Sequence, residues 1–276
     1  MDQQDMTNFS SLDELKKKLT VTDEVCEKHN VNLVSAFGRE PICELCVKEN
    51  TSIKVQKIVE KEVSKNEKRD SYDWLDKRSI FLDDTLKKAT FDTYKTECKE
   101  TKDNKDLALT IAREYYKGAN YNTVLTGTPG TGKSHLSMSM LKIVNEHSDP
   151  YRKCLFISIS ELMRRIKDSF SNRESIYTEQ NMVEMMTKAD LLVIDDLGAE
   201  TGAISSDKIA TDFTTRVLYA IIDGRMNKPT IITTNLNSKE LSKMYDRKLI
   251  SRMFRGADGH VIQFKNTTDK RISVEF

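Results

Sequence analysis

The chain has 276 residues, enough for about two domains of ordinary size. Hydrophobic residues at 38% exclude a wholly disordered chain, and 44 basic against 43 acidic side chains exclude a polybasic nucleic-acid binder, which leaves any DNA contact to a local patch. The longest wholly apolar run, Val217 to Ile222, falls far short of the about 20 residues a bilayer requires, and the acidic start through Asp2 and Asp5 does not suit a signal peptide, so a cytoplasmic protein without membrane contact is expected.

At the amino end, Ser11 followed three positions later by Glu14 forms a capping box, and Leu12, Leu15 and Leu19 share one face, which predicts a short docking helix. Cys26-x(2)-His29 and Cys43-x(2)-Cys46 come next, with Gly38 and Pro41 turning the chain between them. Five cysteines in a reducing compartment argue against a disulfide framework. Four soft or borderline ligands in two knuckles suit a closed, structural zinc site, the staple that so small and polar a segment needs. Cys98 and Cys154 are expected as buried small side chains, and His135 and His147 as ordinary helix residues. Between 47 and 70 half the positions are charged, while Val55, Val59 and Val63 recur every fourth residue. That pattern predicts a solvated helical connector and a boundary near residue 70, dividing the chain into a zinc-binding docking domain over 1–70 and a second domain over 71–276.

From about residue 104 helical and strand patterns alternate. Leu107, Ile111 and Tyr115 mark a helix, Thr123 to Leu125 a short strand, and Leu136, Met140 and Val144 a second helix. Further strands are predicted over Cys154 to Ile159, Leu191 to Ile194, Thr230 to Thr234 and Val261 to Phe264. Helices are predicted over Glu161 to Phe170, Glu179 to Lys188, Lys208 to Asp223 and Ser238 to Tyr245. Five strands alternating with helices imply an α/β fold with a parallel five-stranded sheet covered on both faces, and such sheets bind ligands at the carboxyl ends of their strands.

Gly127-Thr128-Pro129-Gly130-Thr131-Gly132-Lys133-Ser134 matches the P-loop pattern in full. Its glycines let backbone N–H groups converge on ATP phosphates, Lys133 reaches the β- and γ-phosphates, and the Ser134 hydroxyl suits Mg²⁺. Leu191 to Ile194 is a buried strand that ends in Asp195 and Asp196. A hard cation needs oxygen ligands, so Asp195 suits the Mg²⁺ shell and Asp196 is left to polarise the attacking water. Thr233-Thr234-Asn235 ends the next strand, where Asn235 either holds that water or simply initiates a turn.

These motifs, together with Asp195-Asp196-Leu197-Gly198 and Ser251-Arg252-Met253-Phe254-Arg255-Gly256, resemble in order and spacing the DnaC/DnaI group of AAA+ helicase loaders. The resemblance covers about residues 70–276, and the Cys/His cluster resembles the zinc domain of the DnaI-like branch. It implies an AAA+ domain without a full helical lid, because few residues follow Phe264. It also implies sensor 1 at Asn235, an arginine finger offered to a neighbouring subunit at Arg252, and a sensor-2-type arginine at Arg271. Asp196 stands where many relatives have Glu, one methylene shorter, which implies slow hydrolysis. The stretch Arg164-Arg165-x-Lys167 with Phe170 resembles the region of loaders that contacts single-stranded DNA; a solvated helix with Phe170 buried is the other reading. The expected function is thus an ATP-, Mg²⁺- and Zn²⁺-dependent loader of the replicative hexameric helicase onto single-stranded DNA. It would be a slow ATPase that depends on DNA and on self-assembly through ATP-bridged subunits. An IstB-like transposition ATPase and a nucleotide-gated adaptor with negligible hydrolysis are the rivals.

Overall fold

The computed structural model describes residues 19–36, 38–172, 174–201 and 210–270. The capping box at Ser11 and Glu14 lies outside them, as do Leu12 and Leu15. Two compact units divide between Asn66 and Glu67.

The first unit opens with an antiparallel hairpin, β1 (Leu19–Val25) and β2 (Asn32–Ala36), in which Val21 stands opposite Val34. Leu19 therefore begins a strand and does not close the helical face expected of it. The β-branched run Thr20-Val21-Thr22 is the reason, since it fits a pleated pair better than a helix. At the turn, Cys26 and Asn30 close a tight loop by backbone bonds of 2.9 Å to Val31 and 2.8 Å between the Asn30 N–H and the Cys26 carbonyl. Ile42 then exchanges two bonds with Val34, at 2.8 and 2.9 Å, and leads into α1 (Glu44–Lys77). This helix covers the predicted connector and extends beyond it at both ends, and Val55, Val59 and Val63 are exposed along it. Its final turns bury Ser71, Trp74 and Leu75 in the second unit.

The second unit is built on five parallel strands: β3 (Thr123–Gly127), β4 (Cys154–Ser158), β5 (Leu191–Leu197), β6 (Thr230–Thr234) and β7 (Val261–Phe264). Their spatial order is β4-β5-β6-β3-β7, and each occupies the place the sequence predicts. The helices are α2 (Lys99–Tyr116), α3 (Lys133–His147), α4 (Ile159–Ser169), α5 (Glu179–Lys188), α6 (Asp212–Gly224), α7 (Ser238–Met244) and α8 (Arg247–Met253). The start of α6 falls later than expected, because Thr211 caps it by accepting from the Thr214 N–H at 3.2 Å.

Strand period divides the core into two. Phe156, Leu191, Val193 and Ile231 face Ile111, Leu136 and Met140, whereas their neighbours Leu155, Ile157, Leu192, Ile194 and Ile232 face Leu162, Val217, Ile221 and Leu249. Burial of each such side chain stabilises the fold by about 1.5–3 kcal/mol. Beneath α5 and α6 lies Arg225, 2% exposed, which donates to the carbonyls of Met186, Ala189 and Pro229 at 2.6–2.7 Å and to the Thr230 hydroxyl. Asn122 is also buried; it accepts from the Thr230 N–H at 2.9 Å and donates to the carbonyls of Arg252 and Met253, which ties α8 to the sheet. Among the described residues no helix is long and apolar enough to cross a membrane.

Candidate functional site

The carboxyl ends of β3, β5 and β6 converge on a cleft of about 500 Å³. Leu82, Leu86 and Tyr94 line it together with Gly130, Lys133, Ser134, Asp195, Asp196 and Asn235. The segment carrying Leu82 is brought there by Ile80, which pairs in parallel with Ile157 through bonds of 2.8 Å to Phe156 and Ser158.

The loop between β3 and α3 has glycine where no other residue fits. Gly127 has φ +150°, and a Cβ there would stand 2.6 Å from Phe264; Gly132 has φ +98°, and its Cβ would strike the Tyr94 ring at 2.7 Å. Lys133 Nζ donates to the carbonyls of Gly127 (2.8 Å) and Thr128 (2.7 Å), so its ammonium rests on the loop's own oxygens beside the cleft. The N-terminus of α3 opens onto the same space. Thr131 is buried and donates back to the Thr128 carbonyl at 3.0 Å. Lys270 donates its N–H to the Gly130 carbonyl at 3.1 Å and lays its ammonium 4.1 Å from the centre of the Tyr94 ring. Arg271, the next residue, lies outside the described residues.

Thr233 organises the two acids. Its hydroxyl donates to Asp195 Oδ1 at 2.7 Å and accepts from the Asp196 N–H at 2.8 Å. Asp195 is 6% exposed, and burial pushes its carboxyl up to about 6, against the opposing pull of hydrogen bonds from Thr233 and Ser134. Ser134 and Asp195 thus bring two hard oxygen donors together, a set that fits Mg²⁺. Asp196 has φ +59°, at the point where the pairing of β5 with β6 slips register, and its Oδ1 accepts from the Asn235 amide at 2.6 Å. Further along the same loop, Glu200 accepts from the Gly198 N–H at 2.8 Å and from the Tyr245 hydroxyl; burial raises its pKa.

Asp195, Asp196 and Asn235 meet here as their spacing predicts, whereas the Thr233 hydroxyl that joins the two acids has no signal of its own, although it stands within the same short motif as Asn235. Tyr94, Lys270 and the Glu200–Tyr245 pair carried no motif at all. His135, read as an ordinary helix residue, also lines the cleft, with Nε2 at 2.9 Å from the Thr90 carbonyl.

The remaining candidates lie elsewhere on the second unit. On α4, Arg164 pairs with Glu161 and Asp168, and Arg165 pairs with Glu161 and donates to the Tyr177 hydroxyl at 2.8 Å. Phe170 is 66% exposed and meets Phe213 edge-on at 5.7 Å, so it is not the buried side chain of the alternative reading. Arg252, in the last turn of α8, pairs with Asp223 of α6. Cys154 is fully buried as expected; Cys98 is exposed, because it occupies the cap position before α2 and not the helix interior.

In the first unit, Cys26, His29, Cys43 and Cys46 offer ligand atoms that all lie within 4.8 Å of one another. Cys26 and Cys46 have sulfurs 3.7 Å apart, and His29 Nδ1 stands 3.3–3.7 Å from the three sulfurs. A zinc tetrahedron with Zn–S bonds of about 2.3 Å has edges of about 3.8 Å, so these residues fit the metal. The other ring nitrogen of His29, Nε2, pairs with Glu49 at 3.0 Å, the outer carboxylate that fixes a ligating ring; Lys28 holds Glu49 from the far side.

A family model described as IstB-like ATP binding protein matches residues 41–268. The replicative helicase loader DnaC of Escherichia coli strain K12 is 30% identical over 169 residues, which are 59% of this chain and 62% of that protein. The DnaC loader of Buchnera aphidicola subsp. Acyrthosiphon pisum is 28% identical over an equal span. The chain thus matches less than two thirds of the length of these relatives. Among solved structures, that of DnaI has a TM-score of 0.53 at 20% identity, over 68% of this chain and 96% of the other. That of the DnaC helicase loader has 0.52 at 22%, over 66% and 100%. At such identities the likeness is one of fold, which this chain shares with both proteins.

Proposed function

The chain belongs to the family of IstB-like ATP-binding proteins, and on that premise we propose that it is an ATP-dependent loader of a replicative hexameric helicase onto single-stranded DNA. The observation that carries the reading is the 30% identity to a protein named as a replicative helicase loader. An assembled cleft in which Asp195, Thr233, Asp196 and Asn235 face the phosphate loop supports the ATP-dependent part.

In this reading Lys133 and the loop amides bind the phosphates, and Ser134 and Asp195 hold Mg²⁺, which when bound neutralises charge on the phosphate oxygens. Asp196 accepts a proton from the attacking water, and Asn235 fixes where that carboxylate points. Arg252 acts on the nucleotide of an adjacent subunit, so hydrolysis depends on assembly, and the short Asp196 carboxylate keeps it slow. Residues 1–70 dock the helicase through the zinc module, residues 71–276 form the motor, and Arg164, Arg165 and Phe170 meet the DNA. Arg271 contributes to the nucleotide site.

The family description favours a second reading, a transposition ATPase, which would have no use for the Cys/His module. Mixing the full chain with the replicative helicase of its source, Mg-ATP and circular single-stranded DNA decides between them. A loader forms a complex with the helicase and places it on the circle, and the Lys133→Ala chain does not. Absence of any complex between full chain and helicase sinks the proposal.

A further inference from the structure

We infer that Asp223 is a latch on Arg252: within a single subunit its carboxylate holds the guanidinium, and that pair must open before Arg252 can serve a neighbouring nucleotide. The inference rests on the trans-acting role proposed above for Arg252.

The latch is a seat made by one face of α6. Tyr219 and Asp223 are four residues apart, so their side chains lie one turn above the other. Arg252 donates from Nη1 to Asp223 Oδ1, and its guanidinium lies 5.7 Å from the centre of the Tyr219 ring. The ring is itself anchored, since the Tyr219 hydroxyl donates to Asp246 Oδ1 at 2.5 Å. Asp246 in turn caps α8, accepting from the N–H groups of Lys248 and Leu249 at 2.8 and 3.0 Å. At the other end of α8, Asn122 holds the Arg252 carbonyl at 3.2 Å. The backbone of Arg252 is therefore fixed at both ends of a short helix, and the side chain is the part that can turn outward.

Charge makes the contact a restraint and not a support. An arginine stabilises a γ-phosphate by bringing uncompensated positive charge to it. With the Asp223 carboxylate at hydrogen-bond distance, the pair carries no net charge, and Arg252 must leave it to act. The pair lies at the surface, with side-chain exposures of 23% for Arg252 and 48% for Asp223, so a neighbour's triphosphate can compete for the guanidinium. Asp223 is thus a positioning residue that raises the chain concentration at which subunits activate one another.

The test is ATP turnover by the full chain as a function of its concentration. Asp223→Asn should reach half-maximal turnover at a concentration about two- to fivefold lower than wild type, the worth of a partly exposed ion pair, with the same plateau and the same KM. Asp223→Glu, which keeps the carboxylate, should follow wild type, and Asp223→Ser should follow Asp223→Asn. Arg252→Ala should stay at its basal rate at every concentration, with or without Asp223→Asn. If Arg252→Ala turns over like wild type, the trans-acting role fails and the latch with it. If Arg252→Ala is inactive while Asp223→Asn and Asp223→Ser keep the wild-type curve or lose plateau activity, the latch alone is overturned.

Discussion

Asn235 donates its side-chain amide to Asp196 Oδ1 at 2.6 Å, across the carboxyl ends of two neighbouring strands. The carboxylate that would take the water's proton is thereby held by the residue that would report on the phosphate. Removing either partner should therefore damage chemistry more than binding. Asp196→Asn and Asn235→Ala are each expected to lower turnover by about 10²–10⁴-fold, the usual worth of a positioned base, while nucleotide affinity stays within about threefold. Phosphate release and calorimetry measure the two quantities. A loss of affinity that accounts for the whole loss of rate would remove both residues from the chemistry.

Elemental analysis should find one zinc per chain, and a chelator should unfold residues 26–46 while the second unit keeps its melting transition. Ligand binding is the folding energy of so small a module, about 10–16 kcal/mol in comparable zinc fingers. Because Glu49 orients His29 through Nε2, Glu49→Gln should weaken zinc affinity by about 10–100-fold. An unaltered affinity would show that the ring is oriented by something else.

Phe170 stands out from the protein with Phe213 at its edge. Phe170→Ala should weaken binding of single-stranded DNA by about 1–3 kcal/mol without changing its salt dependence, as expected of a stacking contact. Arg164→Ala should instead flatten the plot of log K against log salt by about 0.7, one phosphate's worth. Fluorescence anisotropy at several salt concentrations separates the two, and equal salt slopes in all three chains would count against Arg164 as a phosphate contact.

Arg164 foremost, then Arg165, holds the Glu161 carboxyl down to about 2, below the about 4.3 of an unfolded chain. A depressed acid contributes stability that is fully present above about pH 4.3 and is lost as pH falls towards about 2. Glu161→Gln should accordingly be less stable than wild type near neutrality, and the two denaturation midpoints should converge on acidification through that window. Midpoints that stay a constant distance apart would mean that the carboxylate's charge is irrelevant.

Much of the second unit could be read from the sequence because its elements carry strong local signals. Leu191 to Ile194 is apolar on both faces because both faces are covered, and Gly127 and Gly132 sit where the backbone has φ above zero. The phosphate loop and the two acids follow from spacing alone. The hairpin did not, because Leu19 suits a helical face as well as a strand and only its pairing with Ala36 settles the matter. Nor did Arg225 and Asn122: a buried arginine held by three carbonyls and a hydroxyl looks, in sequence, like any surface arginine. Thr233 shows the same limit within the site, since its two bonds depend on a register between strands almost forty residues apart.

The left-handed backbone of Asp196 carries a consequence for engineering. A side chain at φ +59° is tolerated best in glycine, asparagine and aspartate, and most other residues there cost of order 1–3 kcal/mol. Only asparagine and glycine can then replace Asp196 without that cost, and both delete the carboxylate. Asp196→Glu would keep the charge but carry that strain, so a search for thermally hardier versions of the protein should leave aspartate, asparagine or glycine here. Of the three only aspartate keeps an acid at this Cα, so variants selected for robustness alone need to be assayed for ATP turnover before use.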